Sequence, residues 1–203
     1  LRKAGKEVLV LMGDMCASGG YYTAVAANRI WALPTTVTGS IGVIINSLSL
    51  EELLTRLGIS DQSIASGPNK AILNPAKSLS EEQRTLLQAL VDKLYDRFIK
   101  LIVEGREIDE ASVRAVADGR LLTADEALKA KLIDSIGYQE DALAELVNLS
   151  GGGPFNIVKY SVRPSFLETL SARAGAPDFP RSVLQGLLTP RPLYLYSPLS
   201  VGP

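Results

Sequence analysis

The sequence predicts an α/β domain in which a small sheet is covered by helices. Short branched apolar runs, Val8–Met12 and Ile30–Leu33, are bounded by turn residues and are too short for helices, as buried strands are. Other stretches carry helical apolar spacing. The longest places Leu86, Leu87, Leu90, Leu94, Phe98 and Ile102 on one stripe. Strands alternating with helices pack as layers around one core. At 203 residues and 46% hydrophobic composition the chain can bury such a core.

In chain order, Leu1–Lys6 reads as a last helical turn capped by Gly5. Position 1 is not Met, so more sequence is expected upstream. Val8–Met12 is a strand, Gly13–Gly20 a turn-rich junction and Tyr21–Ala27 a helix of small residues. Ile30–Leu33 is the next strand, stopped by Pro34. Thr35–Gly42, rich in Thr, Ser and Gly, reads as a loop. Ser49–Leu57 is helical with Leu50, Leu53, Leu54 and Leu57 on one side, and Gly58 stops it. Ile59–Ala65 reads as a strand and Ser66–Pro75 as a loop. Ser80 and Gln83 form a capping box for the long helix, which Gly105 is expected to end. Asp109 caps a short helix, and Thr123 with Glu126 caps another. After Leu149 the composition changes. Residues 1–149 are therefore read as the folded domain. Residues 150–203 are read as a hinge at Ser150–Pro154, an edge strand over Phe155–Val162 and an extended proline-rich arm.

Several chemistries are excluded. There is no histidine, so no Ser-His-Asp or Cys-His site and no His-ligated metal can form within the chain. A single cysteine, Cys16, makes neither an internal disulfide nor a thiolate zinc cluster. The net charge of −1 and the lack of a basic run give no nucleic-acid footprint. No apolar run is long enough to span a bilayer and no signal peptide is visible.

Ser18 sits where a buried strand turns into a helix, and Gly19 and Gly20 leave its hydroxyl uncrowded. Two readings are open at this point. Serine is a favoured helix N-cap. A strand–turn–helix serine beside unpaired helix-start amides is also the geometry of acyl-transfer nucleophiles. Cys16, without a histidine partner, is read as a buried, inert thiol. A serine nucleophile without histidine needs another base, and lysine serves in Ser-Lys enzymes when it is neutral. Lys70 stands out because no acidic residue lies between Gln62 and Ser80, and because Ala71, Ile72 and Leu73 offer a dry wall. A surface-loop lysine is the ordinary alternative. The Thr38–Val43 segment offers a hydroxyl to orient the amine, or is simply a turn feeding a strand.

Taken together, three segments resemble the signal peptide peptidase family of Ser-Lys serine peptidases. They are Met12–Tyr22, Thr38–Val43 and Ser66–Lys70, and Ala117–Ala127 with Leu132–Gly137 is similar as well. The resemblance covers about residues 1–147. It places the nucleophile on Ser18, the general base on Lys70, the lysine-orienting serine on Ser40 and one oxyanion-hole amide on Gly19. It implies a crotonase/Clp-protease-like ββα superhelix whose N-terminal part is missing here. That part carries an Asn-Ser-Pro-Gly-Gly-like oxyanion segment in the family. It further implies a serine endopeptidase that cleaves apolar peptides such as released signal peptides through an acyl-enzyme, with no metal or organic cofactor. Partners are expected to be further copies of the chain in a homo-oligomeric ring or dome. The location is expected to be membrane-associated on the extracytoplasmic side. Two other readings stand beside it: a non-catalytic scaffold subunit of such an assembly, and a crotonase-like acyl-CoA enzyme, against which the Ser18/Lys70 pairing speaks.

Overall fold

The computed structural model describes residues 1–160. Leu1–Ile45 and Arg84–Gly153 form one compact unit, and Asn46–Gln83 belong to a second.

The first unit is a mixed α/β structure with a small parallel sheet. A 3-10 turn, Arg2–Ala4, closes on Gly5, whose φ of 68° is the left-handed cap expected there. Strand β1 (Leu9–Met12) leads through helix α1 (Gly19–Ala24) to strand β2 (Arg29–Ala32). The two strands are parallel, with Leu9 opposite Arg29 and Met12 opposite Ala32. The helical crossover makes the parallel pairing possible. A short strand over Ser135–Ile136 pairs in parallel with the other edge of β2.

A second small sheet pairs β3 (Val37–Gly39) antiparallel with β4 (Leu121–Thr123). The chain leaving β1 runs beside β3, and Met15 bridges Val37 in parallel. The sequence predicts a loop over Thr35–Gly42, and the structure places β3 inside it. The reason lies in two threonines that face inward. Thr36 Oγ1 donates to the Met12 and Gly13 carbonyls, and Thr38 Oγ1 to the Cys16 carbonyl. A buried hydroxyl that is hydrogen-bonded is compatible with a strand, although composition reads it as a turn.

Helix α2 (Glu51–Arg56) belongs to the second unit, where Leu50, Leu53 and Leu57 of the expected apolar face remain exposed. Ile59–Ala65, expected as a strand, has no ladder partner among the described residues. Helix α3 (Glu81–Arg106) begins with the expected capping box: the Ser80 N–H donates to Gln83 Oε1, and the Gln83 N–H donates to Ser80 Oγ. Its stripe is buried at Phe98 and Ile102, whereas Leu86 and Leu90 stay 54% and 44% exposed. Gly105 lies inside the helix rather than ending it. A Cβ there would stand 2.7 Å from the Val25 carbonyl oxygen, so glycine serves close packing against the end of α1. Glu107, at φ 53°, makes the turn out of the helix.

Helix α4 (Glu110–Val116) is capped by the Asp109 side chain, as expected. Helix α5 (Ala124–Lys129) has the expected Thr123/Glu126 capping box. Ser135–Ile136 is β5, and α6 (Gln139–Leu149) follows. Phe155–Tyr160 is exposed and without regular structure. Val162 and the expected proline-rich arm lie outside the described residues. Among the described residues no helix is long and apolar enough to cross a membrane.

The core gathers Met12, Tyr21, Ile30, Ile41, Phe98 and Leu132. At its edge Arg106 and Asp134 form a two-pronged ion pair, with nitrogen–oxygen distances of 3.0 and 2.8 Å. Asp134 Oδ2 also accepts the Ile30 N–H at 2.7 Å, and Arg106 Nε donates to the Lys131 carbonyl. The pair therefore ties the end of α3 to the start of β2 and to the approach to β5. Burial pushes the Asp134 carboxyl up. The Arg106 hydrogen bonds, the Ile30 amide and the charges of Arg106 and Arg29 outweigh this and hold it below its ordinary value.

Removing the carboxylate leaves Arg106, whose side chain is only 8% exposed, without its counter-charge. Asp134→Ala is expected to lose about 3–5 kcal/mol in urea unfolding at neutral pH. A depressed carboxyl stabilises fully above its unfolded value and loses that contribution as pH falls through the folded value. The difference between the two proteins is therefore expected to shrink below about pH 4, the ordinary aspartate range.

Candidate active site

Ser18 is placed by backbone pairing. The segment between β1 and α1 lies beside β3, with the Val37 N–H donating to the Asp14 carbonyl, the Cys16 N–H to the Val37 carbonyl and the Ser18 N–H to the Gly39 carbonyl. The last bond is 2.8 Å long. The chain must then turn at once into α1, and it does so at Ser18 with φ 50° and ψ −111°. This conformation costs a residue bearing a Cβ on the order of 1–3 kcal/mol. It resembles the sharp elbow on which acyl-transfer nucleophiles are presented.

Ser18 stands at the N-cap position of α1, yet its hydroxyl makes no capping bond. Nor does it bond to any other group among the described residues. The residue is only 5% exposed, but no fully buried side-chain oxygen among the described residues lacks a partner. The Ser18 oxygen is therefore unbonded but not fully sealed from the surface. The Gly19 N–H, first in α1, has no acceptor among the described residues, as expected of a helix-start amide. An unengaged hydroxyl thus stands directly before an unengaged N–H donor.

Ser40 follows the carbonyl to which Ser18 is bonded, so one peptide group links the two serines. It too is left-handed, at φ 49°, and its N–H donates to the Arg120 carbonyl at 2.7 Å. Gly39 is held between them at φ 75°, where an added Cβ would meet the Arg120 oxygen at 2.8 Å. Arg120 is braced in turn by its ion pair with Asp118, whose carboxyl the Arg120 hydrogen bonds pull down to about 2.

Cys16 is half-buried, and burial pushes its thiol up, which favours the less reactive protonated form. Among the described residues no group of His, Cys, Asp or Glu is arranged to hold a metal ion.

Ser18, Gly19 and Ser40 lie together in the first unit, and Lys70 lies in the second. Lys70 is exposed on a run of turns and makes no ion pair among the described residues. The expected wall is partial, with Ala71 exposed and Ile72 and Leu73 half-buried. The turns lean on Asp61, whose carboxylate accepts from Asn74 Nδ2 at 3.0 Å and pairs with Lys77 Nζ at 2.9 Å. Hydrogen bonds from Ser63 and Lys77 hold the Asp61 carboxyl down at about 2. Thr36, Thr38, Asp61 and the Arg120 carbonyl escaped sequence reading. Only the Thr-X-Thr alternation before Gly39 offered a signal, that of a strand with one face turned inward.

The family model of peptidase family S49 matches residues 1–151. The chain belongs to peptidase family S49. It is 32% identical over 212 residues to a protein of Enterococcus faecium assigned as signal peptide peptidase SppA, an alignment covering 98% of this chain and 62% of that protein. It is 33% identical over 189 residues to Protease 4 of Salmonella typhi, covering 90% of this chain and 30% of that one. It is 34% identical over 140 residues to the chloroplastic serine protease SPPA of Arabidopsis thaliana, covering 68% and 21%. The S49 chain therefore spans between about a fifth and three-fifths of these relatives.

The backbone at Ser18 gives a stability test. Glycine adopts this conformation freely, whereas alanine carries the same strain as serine. Ser18→Gly is expected to be more stable than Ser18→Ala by about 1 kcal/mol in urea unfolding, the strain relief exceeding glycine's entropic cost. An equal or lower stability for Ser18→Gly contradicts a strained serine.

Proposed function

We propose that this S49 chain carries the Ser-Lys dyad of a serine endopeptidase that acts on apolar peptides such as cleaved signal peptides. Ser18 is the nucleophile, Lys70 the general base and Ser40 the hydroxyl that orients the lysine amine. The observation that carries the proposal is the state of Ser18: a strained elbow, an unbonded hydroxyl that is not fully sealed, and an unbonded N–H on the next residue.

In the proposed reaction the neutral Lys70 amine takes the Ser18 proton as Oγ attacks the scissile carbonyl carbon. The new C–O bond pushes charge onto the carbonyl oxygen, and the Gly19 N–H stabilises it. The intermediate collapses with cleavage of the C–N bond, and the Lys70 ammonium returns its proton to the leaving amine. Water then attacks the acyl-enzyme, with Lys70 again accepting a proton, and Ser18 is regenerated. The names of the relatives support the substrate class. Exposed Leu53, Leu57 and Ile64 fit a protein that handles apolar partners.

The remaining expectations belong to the same proposal. The β1–α1–β2 crossover fits a turn of a crotonase/Clp-type superhelix. Residues 1–149 form the peptidase portion, and the sequence after residue 160 lies outside the described residues. The working protein is a homo-oligomer associated with a membrane on its extracytoplasmic side.

Cleavage of a fluorogenic apolar peptide tests the dyad. Ser18→Ala and Lys70→Ala are each expected to lower kcat by about 10⁴-fold or more. Activity of the unmutated protein is expected to rise with pH, because only a neutral lysine accepts a proton. Equal turnover by Ser18→Ala would sink the proposal. So would equal turnover by Lys70→Arg, since arginine stays charged.

A further inference from the structure

We infer that Gln83 is a positioning residue for Lys70, pinning the turn that carries the lysine to the first turn of α3. The inference rests on the reading of Lys70 as the general base. A base must be held within a fraction of an ångström of its working position, and a displacement of about 1 Å costs about 10²-fold in rate.

The turn is poorly fixed by its own backbone. Its internal bonds are short-range, from the Lys70 N–H to the Gly67 carbonyl at 3.2 Å and from the Ile72 N–H to the Asn69 carbonyl at 3.3 Å. Among the described residues no sheet ladder holds it. A cavity of about 370 Å³, lined by Ser66, Pro68, Ala71, Ile72 and Gln83 among others, undercuts it where packed side chains would otherwise support it. The position of the turn therefore depends on its side-chain ties.

Gln83 supplies one of them. Its Oε1 accepts the Ser80 N–H and completes the cap of α3. The cap needs only an oxygen, and glutamate provides that equally well. A carboxylate also suits the positive end of a helix. What glutamine adds is a donor: Nε2 donates to the Pro68 carbonyl at 3.2 Å and reaches Asn69 Oδ1 at 3.5 Å. Pro68 and Asn69 immediately precede Lys70. Pro68 has a fixed φ, so holding its carbonyl sets the direction in which the chain enters the lysine. Asp61 secures the far end through Asn74 and Lys77. The amide of Gln83 thus does two jobs, and only the second concerns the lysine.

Two substitutions in the full chain separate these jobs. Gln83→Glu keeps the cap and loses the donor. Gln83→Met loses both and adds no charge. Both are expected to speed backbone hydrogen exchange over residues 66–74 by about tenfold, the worth of one hydrogen bond. Both are expected to lower kcat on the apolar peptide by about 10- to 100-fold with KM changed by less than about twofold, as for a misplaced base. In Gln83→Glu, exchange in α3 from Leu86 onward should match the unmutated protein. An effect in Gln83→Met alone would assign Gln83 to the cap, an effect in Gln83→Glu alone would assign it to charge, and no effect in either would remove it from the site. Each of these three outcomes overturns the inference. If the unmutated chain cleaves no peptide, the reading of Ser18 and Lys70 falls instead. The exchange comparison then decides the pin by itself: faster exchange over 66–74 in both variants upholds it, and unchanged exchange overturns it.

Discussion

The hydrogen bond from the Ser18 N–H to the Gly39 carbonyl is short in sequence terms on neither side, yet most of the candidate site hangs from it. It closes the parallel run of the β1–α1 junction along β3 and leaves one peptide group between Ser18 and Ser40. Because the chain is committed to that pairing up to Ser18, the turn into α1 must be made within a single residue. The positive φ at Ser18 follows from this. Gly39 and Ser40, on the other side of the bond, are left-handed as well. Three successive demands on the backbone thus meet at one spot, and only Gly39 meets its own without strain.

Strain of this kind persists only where the surroundings over-determine it. Thr36 and Thr38 tie down the carbonyls of Met12, Gly13 and Cys16 just before the turn. Behind the turn, Tyr21 is fully buried and its hydroxyl donates to the Leu132 carbonyl at 2.8 Å. That carbonyl lies close in sequence to Asp134, which pairs with Arg106 and accepts the Ile30 amide. The start of α1, the start of β2, the end of α3 and the approach to β5 are therefore coupled through a few polar contacts at the edge of an apolar core. The serine is held by its scaffold and not by its own side chain, which leaves the hydroxyl unbonded.

Local chemistry was legible in the sequence and long-range pairing was not. The capping boxes at Ser80/Gln83 and Thr123/Glu126 and the cap at Asp109 are set by residues three apart, so the sequence contains the whole interaction. The strands β1 and β2 announced themselves through branched apolar residues. By contrast β3 was hidden, because Thr36 just before it and Thr38 within it face inward and satisfy their hydroxyls on carbonyls more than twenty residues away. Gly105 looked like a stop, and its role in close packing against Val25 depends on a neighbour the sequence cannot name. Ile59–Ala65 has the composition of a strand but no partner to pair with, and composition does not supply partners. At the candidate site, the strand–Ser–Gly–Gly junction placed Ser18 at the turn from strand to helix, where the structure has it. Lys70 was singled out by a stretch free of acidic residues and by the family resemblance, and its surroundings are more open than the neighbouring Ala71, Ile72 and Leu73 suggested.

The central claim is that Ser18 is activated by Lys70. Its most direct test is covalent labelling with a serine-reactive phosphonate, followed across pH by intact mass and mapped to the residue. It should be run on the unmutated chain, Ser18→Ala and Lys70→Ala, each checked to be folded. The account predicts one adduct, on Ser18, that forms faster as pH rises and is missing from both variants. A folded chain that takes no label, or a Lys70→Ala protein labelled as fast as the unmutated one, would contradict it.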